Sequence, residues 1–193
     1  MSENRISQIF NDSIDTLTES KLLEKSIQKT IESIISCFEN GNKLIVFGNG
    51  GSAADSQHFA AEFVGRFLSE RLSLPSISLT TDTSILTALG NDYSFENIFS
   101  RQCESIVKQN DIVFGISTTG KSVNVINGIN TAKNQGAITI GLLGSGGGKL
   151  NEIVDIPITI PSNSTPRIQE SHRVILHIIC EIVEEHFVNN KSL

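Results

Sequence analysis

Apolar residues recur at helical spacing in two series before the first glycine-rich segment of this chain. The first series begins at Ile6 and the second ends at Phe38, where Asn40-Gly41-Asn42 interrupts the pattern. The positions that carry the pattern are Ile6, Ile9, Phe10, Ile14 and Leu17, followed by Leu23, Ile27, Ile31, Ile34, Ile35 and Phe38. Because side chains three and four positions apart lie on one face of a helix, the pattern predicts two helices ahead of the first strand.

Beyond residue 42, short apolar runs alternate with stretches that are compatible with helices. The predicted strands are 44–47, 111–116, 137–143 and 156–160, and residues 77–79 form a further short apolar segment. Helices are predicted from Ser52, near 95–107 and up to Gly136, and a last helix is predicted with Thr165 as its cap and Pro166 at its first position. Strands that alternate with helices and lack polar alternation are typical of a parallel sheet covered on both faces. The sequence therefore predicts an α/β fold, a three-layer αβα sandwich with a central parallel sheet.

Length and composition indicate one large domain. The chain has 193 residues, of which 38% are hydrophobic, and no repeat or linker composition divides it. We expect a single domain over residues 1–193, with a helical segment at about 1–40 ahead of an αβα core at about 41–193.

Charge and cysteine usage narrow the classes of function. The net charge is −6 and no Lys/Arg cluster is long enough to follow a phosphate backbone, which disfavours a nucleic-acid partner and favours a small-molecule substrate. Met1–Asn11 lacks the continuous apolar stretch of a signal peptide and no run approaches membrane-spanning length, so we expect a cytoplasmic protein without a membrane partner. Cys37, Cys103 and Cys180 are far apart and odd in number, which predicts buried apolar residues rather than disulfides or a thiolate metal site.

A glycine-rich turn, Gly48-Asn49-Gly50-Gly51, follows the first predicted strand. The next helix is predicted to begin at Ser52, with Asp55 at the spacing of a capping box. Glycines let a backbone approach a polar ligand closely, and a helix N-terminus offers free N–H groups to an anion. The turn is therefore a candidate ligand site, although glycines after a strand can equally serve only to make a tight turn.

The same helix carries His58 and Glu62, whose spacing of four residues places them on one helical face. Gln169, Arg173 and His177 in the last helix are also spaced by four. An imidazole beside a carboxylate suits either a metal site or an acid/base pair, and Gln169 and His177 could complete a set of four ligands for zinc or a similar ion. A half-exposed surface pair of His58 and Glu62 is the simpler alternative.

A second polar turn follows the predicted strand 111–116, and its hydroxyl groups and backbone N–H groups could surround a phosphate. Gly115 to Ser122 also matches the nucleotide-binding pattern G-x-x-x-x-G-K-[ST] at every fixed position, which taken alone indicates a nucleotide hydrolase. No predicted strand ends in an aspartate that could serve as the magnesium partner of such a loop. We therefore interpret the match as accidental, and an ordinary hydroxyl-rich helix cap remains the other alternative.

Five segments taken together resemble a known family. They are Gly-Asn-Gly-Gly-Ser-Ala-Ala-Asp (48–55), His-Phe-Ala-Ala-Glu (58–62), Gly-Asn-Asp (90–92), Gly-Ile-Ser-Thr-Thr-Gly-Lys-Ser (115–122) and Arg-Ile-Gln-Glu-Ser-His (167–172). The chain is similar over nearly its whole length to the sugar isomerase (SIS) domain family, and within it to the phosphoheptose isomerases. The resemblance implies a flavodoxin-like SIS fold and a homotetramer. It also implies the isomerisation of sedoheptulose 7-phosphate to D-glycero-D-manno-heptose 7-phosphate through an enediol, for lipopolysaccharide or capsule heptose.

The resemblance also implies roles for individual residues. The implied substrate-binding set is Asn49, Gly50, Gly51, Glu62, Asn91, Asp92, Ser117, Thr118, Thr119, Ser122 and Gln169. The implied ligands of one Zn²⁺ per subunit are His58, Glu62, Gln169 and His177, with Glu62 and His177 as the acid/base pair.

Two departures and one alternative accompany the resemblance. Thr119 and Lys121 stand where the family more often has Ser and Asn, which keeps the hydroxyl and adds a charge. A related, non-catalytic SIS protein binds the replication initiator, but it lacks the glutamate and the last histidine that match Glu62 and His177. These two residues favour the enzyme over a sugar-phosphate-binding or initiator-binding protein.

Overall fold

The computed structural model describes residues 3–190 and consists of a five-stranded parallel sheet between two layers of helices. The strands are β1 (Leu44–Gly48), β2 (Ser76–Ser78), β3 (Ile112–Ser117), β4 (Ile138–Leu143) and β5 (Ile156–Thr159). The helices are α1 (Glu3–Ser20), α2 (Glu24–Glu39), α3 (Gly51–Val64), α4 (Thr83–Asp92), α5 (Ser100–Ile106), α6 (Val123–Asn134), α7 (Leu150–Ile153) and α8 (Thr165–Asn190). Short 3-10 turns lie at Lys21–Leu23 and Phe95–Asn97. The predicted α/β class and parallel sheet are confirmed.

The strand order is β2-β1-β3-β4-β5, so the chain reverses its direction of travel across the sheet at β1. In the parallel register Gly48 of β1 lies opposite Ile116 of β3, which brings the ends of these two strands side by side. In open α/β sheets, ligands bind outside the carboxyl ends of the strands at this kind of switch point. Both polar turns that the sequence singled out lie there.

Apolar side chains fill the space on both faces of the sheet. On one face, residues of α2, α3 and α8 pack together, including Phe38, Phe59 and Ile175. On the other face, α5, α6 and α7 cover the sheet, and the rings of Phe47 and Phe99 stack with centroids 4.8 Å apart. The three central strands β1, β3 and β4 are therefore held between two cores, which accounts for their short runs without polar alternation, whereas Ile77 of the edge strand β2 is 43% exposed.

The helix after the glycine turn begins without the predicted capping box. Its N-cap is Gly50, which has a φ of +57°, and no side chain caps the helix. The Ser52 N–H donates to the Asn49 carbonyl at 3.0 Å, so the turn satisfies this donor with backbone alone. Asp55 forms an ion pair with Arg173 of α8 instead of reaching back to the start of the helix. The prediction of a Ser52–Asp55 box is therefore wrong.

Two helices were not predicted from the sequence. None of the residues of α4 is buried, because it lies at the edge of the molecule with Leu86 and Leu89 only partly covered. The Asp82 carboxylate caps α4 by accepting a hydrogen bond from the Ile85 N–H at 2.9 Å. The four-residue helix α7 follows the glycine-rich loop 144–148. The last helix begins at Thr165 itself, one residue earlier than its predicted cap implies.

The three cysteines and the helix lengths bear on two further predictions. Cys37, Cys103 and Cys180 are free and buried, as predicted, and burial raises the pKa of Cys37 to about 11 and that of Cys103 to about 12. Across residues 3–190, no helix is long and apolar enough to cross a membrane.

Candidate active site

The two polar turns are joined directly by a pair of asparagine side chains. Asn49, in the glycine turn, donates from Nδ2 to Asn124 Oδ1 at 2.8 Å, and Asn124, in the first turn of α6, donates back to Asn49 Oδ1 at 2.9 Å. The residues are far apart in sequence but come from the ends of neighbouring strands. Asn124 is only 3% exposed and also accepts a hydrogen bond from the Val125 N–H. The glycine turn and the start of α6 are therefore fixed relative to each other.

The second turn carries hydroxyl groups that do not cap α6. Ser122 occupies the N-cap position of α6, but its side chain makes no capping hydrogen bond, which removes the alternative of an ordinary cap. The Ser117 and Ser122 hydroxyls lie 3.3 Å apart, and Ser117 Oγ accepts a hydrogen bond from the Gly120 N–H at 3.1 Å. Thr118 is half-buried and Thr119 is exposed in the same turn.

Gly120 allows this turn to pack against the loop 144–148. Its φ is +63°, and a Cβ built there would lie 1.7 Å from the carbonyl oxygen of Gly147. Gly115 and Ser117 are strand residues, paired with Gly141 and Leu143 of β4. The first three residues of the apparent nucleotide-binding pattern are part of β3, so only residues 118–122 lie between that strand and α6.

A His/Glu/His cluster lies between α3 and α8. His58, Glu62 and His177 each offer a ligand atom, and these atoms all lie within 4.8 Å of one another. His58 Nε2 is 2.6 Å from Glu62 Oε1, and the His58 and His177 ring centroids are 5.2 Å apart. The side chains of His58 and Glu62 are 33% and 22% exposed, so the cluster is open on one side. Because His177 joins them, His58 and Glu62 are not the simple surface pair that was the alternative from the sequence.

His177 contributes a buried nitrogen to the cluster. Its Nε2 atom is buried and has no hydrogen-bond partner, and the Phe67 ring packs 5.5 Å from the imidazole. Burial lowers the pKa of His177, and the neighbouring charges of His58 and Arg173 lower this pKa further. The imidazole is therefore neutral near pH 7 and its unpartnered nitrogen can accept a proton or bind a cation.

Gln169 lies over the glycine turn. A Cβ built on Gly51 would be 2.5 Å from Gln169 Nε2, so only glycine leaves room for this amide. Gln169 and His177 are two turns apart on α8, and both face α3. The structure thus brings α8 against the glycine turn at Gln169 and against α3 at His177.

Asp55 and Arg173 connect the same two helices next to His58. Arg173 Nε donates to Asp55 Oδ1 at 3.0 Å, and the Arg173 guanidinium also contacts His58 Nδ1. Asp55 is 4% exposed, and the ion pair compensates its buried charge. The contact to Nδ1 holds the His58 ring by the edge opposite Glu62.

Asn91 and Asp92 lie apart from this constellation. They occupy the C-terminal end of α4, are exposed, and are joined to each other by a hydrogen bond of 2.8 Å from Asn91 Nδ2 to Asp92 Oδ1. Helix α4 borders the glycine turn through Leu86, which lines a cavity of about 190 Å³ together with Asn49 and Gly50.

An interior ion pair that sequence reasoning missed supports the end of α3. Arg71 donates to the carbonyl oxygens of Glu62 at 2.7 Å and of Phe63 at 2.8 Å, and it lies against Glu184 of α8. The signal for Glu184 is present in the sequence. It stands four residues after Cys180 and three before Phe187, on a face of α8 that is otherwise apolar.

Comparisons with known proteins agree with this architecture. Residues 8–144 match the SIS domain family. The chain is 54% identical over 169 residues to a phosphoheptose isomerase of Geotalea daltonii, covering 88% of each chain. It is 51% identical over 162 residues to the phosphoheptose isomerase of Aliarcobacter butzleri, covering 84% of this chain and 86% of the relative.

Solved structures give the same result. The phosphoheptose isomerase of Francisella tularensis superposes with a TM-score of 0.92 at 35% identity, covering 96% of this chain and 100% of the other. That of Neisseria gonorrhoeae superposes with a TM-score of 0.90 at 38% identity, covering 95% and 98% of the two chains.

Proposed function

We propose that this chain, which belongs to the SIS domain family and, within it, to the phosphoheptose isomerases, is a sugar-phosphate isomerase that acts on sedoheptulose 7-phosphate. The product would be D-glycero-D-manno-heptose 7-phosphate, made in the cytoplasm for a bacterial surface glycan such as lipopolysaccharide or capsule. The observation that carries the proposal is the cluster of His58, Glu62 and His177, two of which lie on α3, the helix that begins at the glycine turn. A carboxylate and a neutral imidazole at that place are the groups that proton transfer along a sugar chain requires.

The cluster fits a divalent metal ion. Its donor set of two imidazoles and one carboxylate is of the kind that binds zinc, and the buried Nε2 of His177 has no other partner. We propose that His58, Glu62 and His177 hold Zn²⁺ with Gln169 as a fourth ligand. A bound ion supplies Lewis-acid stabilisation of negative charge on an oxygen.

Glu62 and His177 divide the proton transfers. Interconversion of a ketose and an aldose moves a proton between two neighbouring carbons through an enediol. Glu62 accepts the proton from the first carbon and returns it to the second. His177, whose lowered pKa keeps it neutral near pH 7, passes a proton between the two oxygens through the ring nitrogen that does not hold the ion. The Arg71 hydrogen bond to the Glu62 carbonyl fixes the helix end that carries this carboxylate.

The second turn binds the phosphate group of the substrate. Ser117, Thr118, Thr119 and Ser122 supply hydroxyl groups there, and the N-terminus of α6 adds backbone N–H groups and a partial positive charge. Asn49, Gly50 and Gly51 bind the sugar from the first turn. We propose that Asn91 and Asp92 contribute to the same substrate-binding set from the end of α4.

We also propose a homotetramer. Helix α1 exposes a row of large apolar side chains to solvent, with Ile6 63%, Phe10 67% and Ile14 59% exposed. Apolar rows of this kind in stable proteins are covered by partners. Light scattering at micromolar concentration is expected to give four times the mass of the chain, and the mass of a single chain would contradict this part of the proposal.

Incubation of the purified protein with sedoheptulose 7-phosphate tests the function directly. The expected result is an equilibrium mixture of the ketose and the D-glycero-D-manno aldose, resolved by NMR spectroscopy. Fructose 6-phosphate, a ketose phosphate with one carbon fewer, serves as the control for selectivity by the length of the sugar chain. Failure to convert the heptose phosphate with zinc supplied would contradict the proposal.

A further inference from the structure

Asn124 makes buried hydrogen bonds that none of the sequence motifs predicted. It lies just beyond the hydroxyl turn, in the second helical position of α6, with its side chain almost fully buried. Buried amides retain their place only when their donors and acceptors are paired. In Asn124, Oδ1 accepts from Asn49 Nδ2 and from the Val125 N–H, while Nδ2 donates to Asn49 Oδ1.

We propose that Asn124 is the positioning residue for Asn49, fixing the amide of the glycine turn in the orientation that binds the sugar. The inference rests on the proposed function, in which Asn49 contacts the substrate. In a reciprocal pair each amide gives one N–H and one oxygen to its partner, so the orientation of one determines that of the other. Asn49 is left with one further N–H in a fixed direction, available to a ligand.

The pair also sets the separation of the two turns. Asn49 follows β1 and Asn124 follows β3, so the two hydrogen bonds span the switch point at which the substrate lies. Two hydrogen bonds of 2.8 and 2.9 Å hold the sugar-binding turn at a fixed distance from the phosphate-binding turn. A substrate that occupies both turns at once depends on that distance.

A double-mutant cycle on Asn49 and Asn124 tests the proposal. Asn124→Ala is expected to raise KM by about 10-fold, comparable to losing one or two neutral hydrogen bonds, with kcat changed by less than about twofold. In an Asn49→Ala background, the same change at Asn124 is expected to raise KM no further, because its effect passes through Asn49. Multiplicative effects of the two substitutions would overturn the proposal and leave Asn124 as a structural residue.

Asn124→Asp separates positioning from the local role at the start of α6. Aspartate keeps the acceptor for the Val125 N–H but cannot donate to Asn49 Oδ1. A structural residue would tolerate it, since a carboxylate is favourable at a helix N-terminus. We expect KM to rise in Asn124→Asp and this rise to shrink in the Asn49→Ala background. A rise of the same size in both backgrounds would instead reflect repulsion of the phosphate and would overturn the proposal.

Asn127 provides the matched control. It lies one turn later on α6 and donates to the Glu96 carbonyl at 3.1 Å, away from both turns. Asn127→Ala is expected to leave KM unchanged. If Asn124→Ala does not fold, as judged by circular dichroism, the cycle is carried out with Asn124→Ser. If the unaltered protein does not isomerise the heptose phosphate, the proposed function fails. The same double-mutant cycle is then carried out on the affinity of the protein for the heptose phosphate, measured by calorimetry, and decides the role of Asn124 separately.

Discussion

Glu184 and Arg71 form an ion pair in the interior, with Glu184 Oε1 3.3 Å from Arg71 Nε and both side chains 3% exposed. Glu184 also accepts hydrogen bonds from the backbone N–H groups of Phe67, Leu68 and Ser69. These hydrogen bonds, together with the charge of Arg71, lower the pKa of Glu184 against the opposing effect of its burial. The pair thereby fastens the segment after α3 to α8, next to the proposed catalytic cluster.

Replacement of Glu184 by glutamine should destabilise the protein strongly. The substitution keeps the size of the side chain but leaves the Arg71 charge buried without its counter-ion, which costs about 3 kcal/mol or more. Chemical denaturation measures the loss of free energy of unfolding. Glu185→Gln, at the neighbouring exposed position, is the control and should change stability by less than about 0.5 kcal/mol. Equal effects of the two substitutions would show that the pair does not stabilise the fold.

His172 should make stability depend on pH below neutrality. Burial lowers its pKa to about 4, and Nε2 donates to the Leu143 carbonyl at 3.0 Å. Because the unfolded state has a pKa of about 6.5, it binds the extra proton between pH 6.5 and 4. The free energy of unfolding should therefore fall as the pH is lowered through this range, with a slope approaching about 1.4 kcal/mol per pH unit for this group.

The variant His172→Gln should reduce that slope while retaining a donor for Leu143. Some slope should remain, because the pKa of His177 is lowered as well. His186→Gln, at a partly exposed position later on the same helix, is the control and should keep the full contribution of His172. An unchanged slope in His172→Gln would mean that this histidine is not held neutral by burial.

The sheet and the pairing of His58 with Glu62 could be predicted because they depend on local patterns in the sequence. Other parts of the site depend on contacts between residues that are distant in sequence. Uninterrupted apolar runs identify buried parallel strands, and a spacing of four places His58 beside Glu62 on any helix. Helix α4 escaped prediction because its few apolar residues remain partly exposed and show no clear buried face. Asn124 could not be assigned because its partner Asn49 is brought to it only by the register of β1 against β3. Asp55 has the spacing of a cap, but Arg173, distant in sequence, provides its partner.

The second turn should bind phosphate through hydroxyl groups rather than through Lys121. Ser122→Ala removes one hydrogen bond to a charged group and should raise KM by roughly 10- to 150-fold, the equivalent of about 1.5–3 kcal/mol. Lys121→Met, at an exposed position, should have little effect on isomerase turnover. Steady-state kinetics on the heptose phosphate distinguish the two. Magnesium-dependent ATP hydrolysis that is lost in Lys121→Met would instead favour a nucleotide-binding loop.

Removal of bound metal should lower the activity or the thermal stability of the protein, and the loss should be reversible. Dialysis against a strong chelator is expected to lower activity or the midpoint of thermal unfolding, and zinc should restore it. At a free zinc concentration of a hundred times Kd, the stabilisation is about 2.7 kcal/mol. His177→Gln should abolish the response to zinc, whereas His172→Gln, outside the cluster, should retain it. Full activity in chelator, with no metal detected in the protein, would contradict the proposed zinc site.

The rate at which Glu62→Gln forms aldose from sedoheptulose 7-phosphate, relative to the unaltered protein, tests the central claim most directly. Glutamine preserves the size and polarity of the side chain but cannot accept the carbon-bound proton. Turnover should fall by roughly 10²- to 10⁴-fold, the usual contribution of a general base, while calorimetry still detects binding of the sugar phosphate. Turnover within a few-fold of the unaltered protein would contradict the assignment of Glu62 as the base.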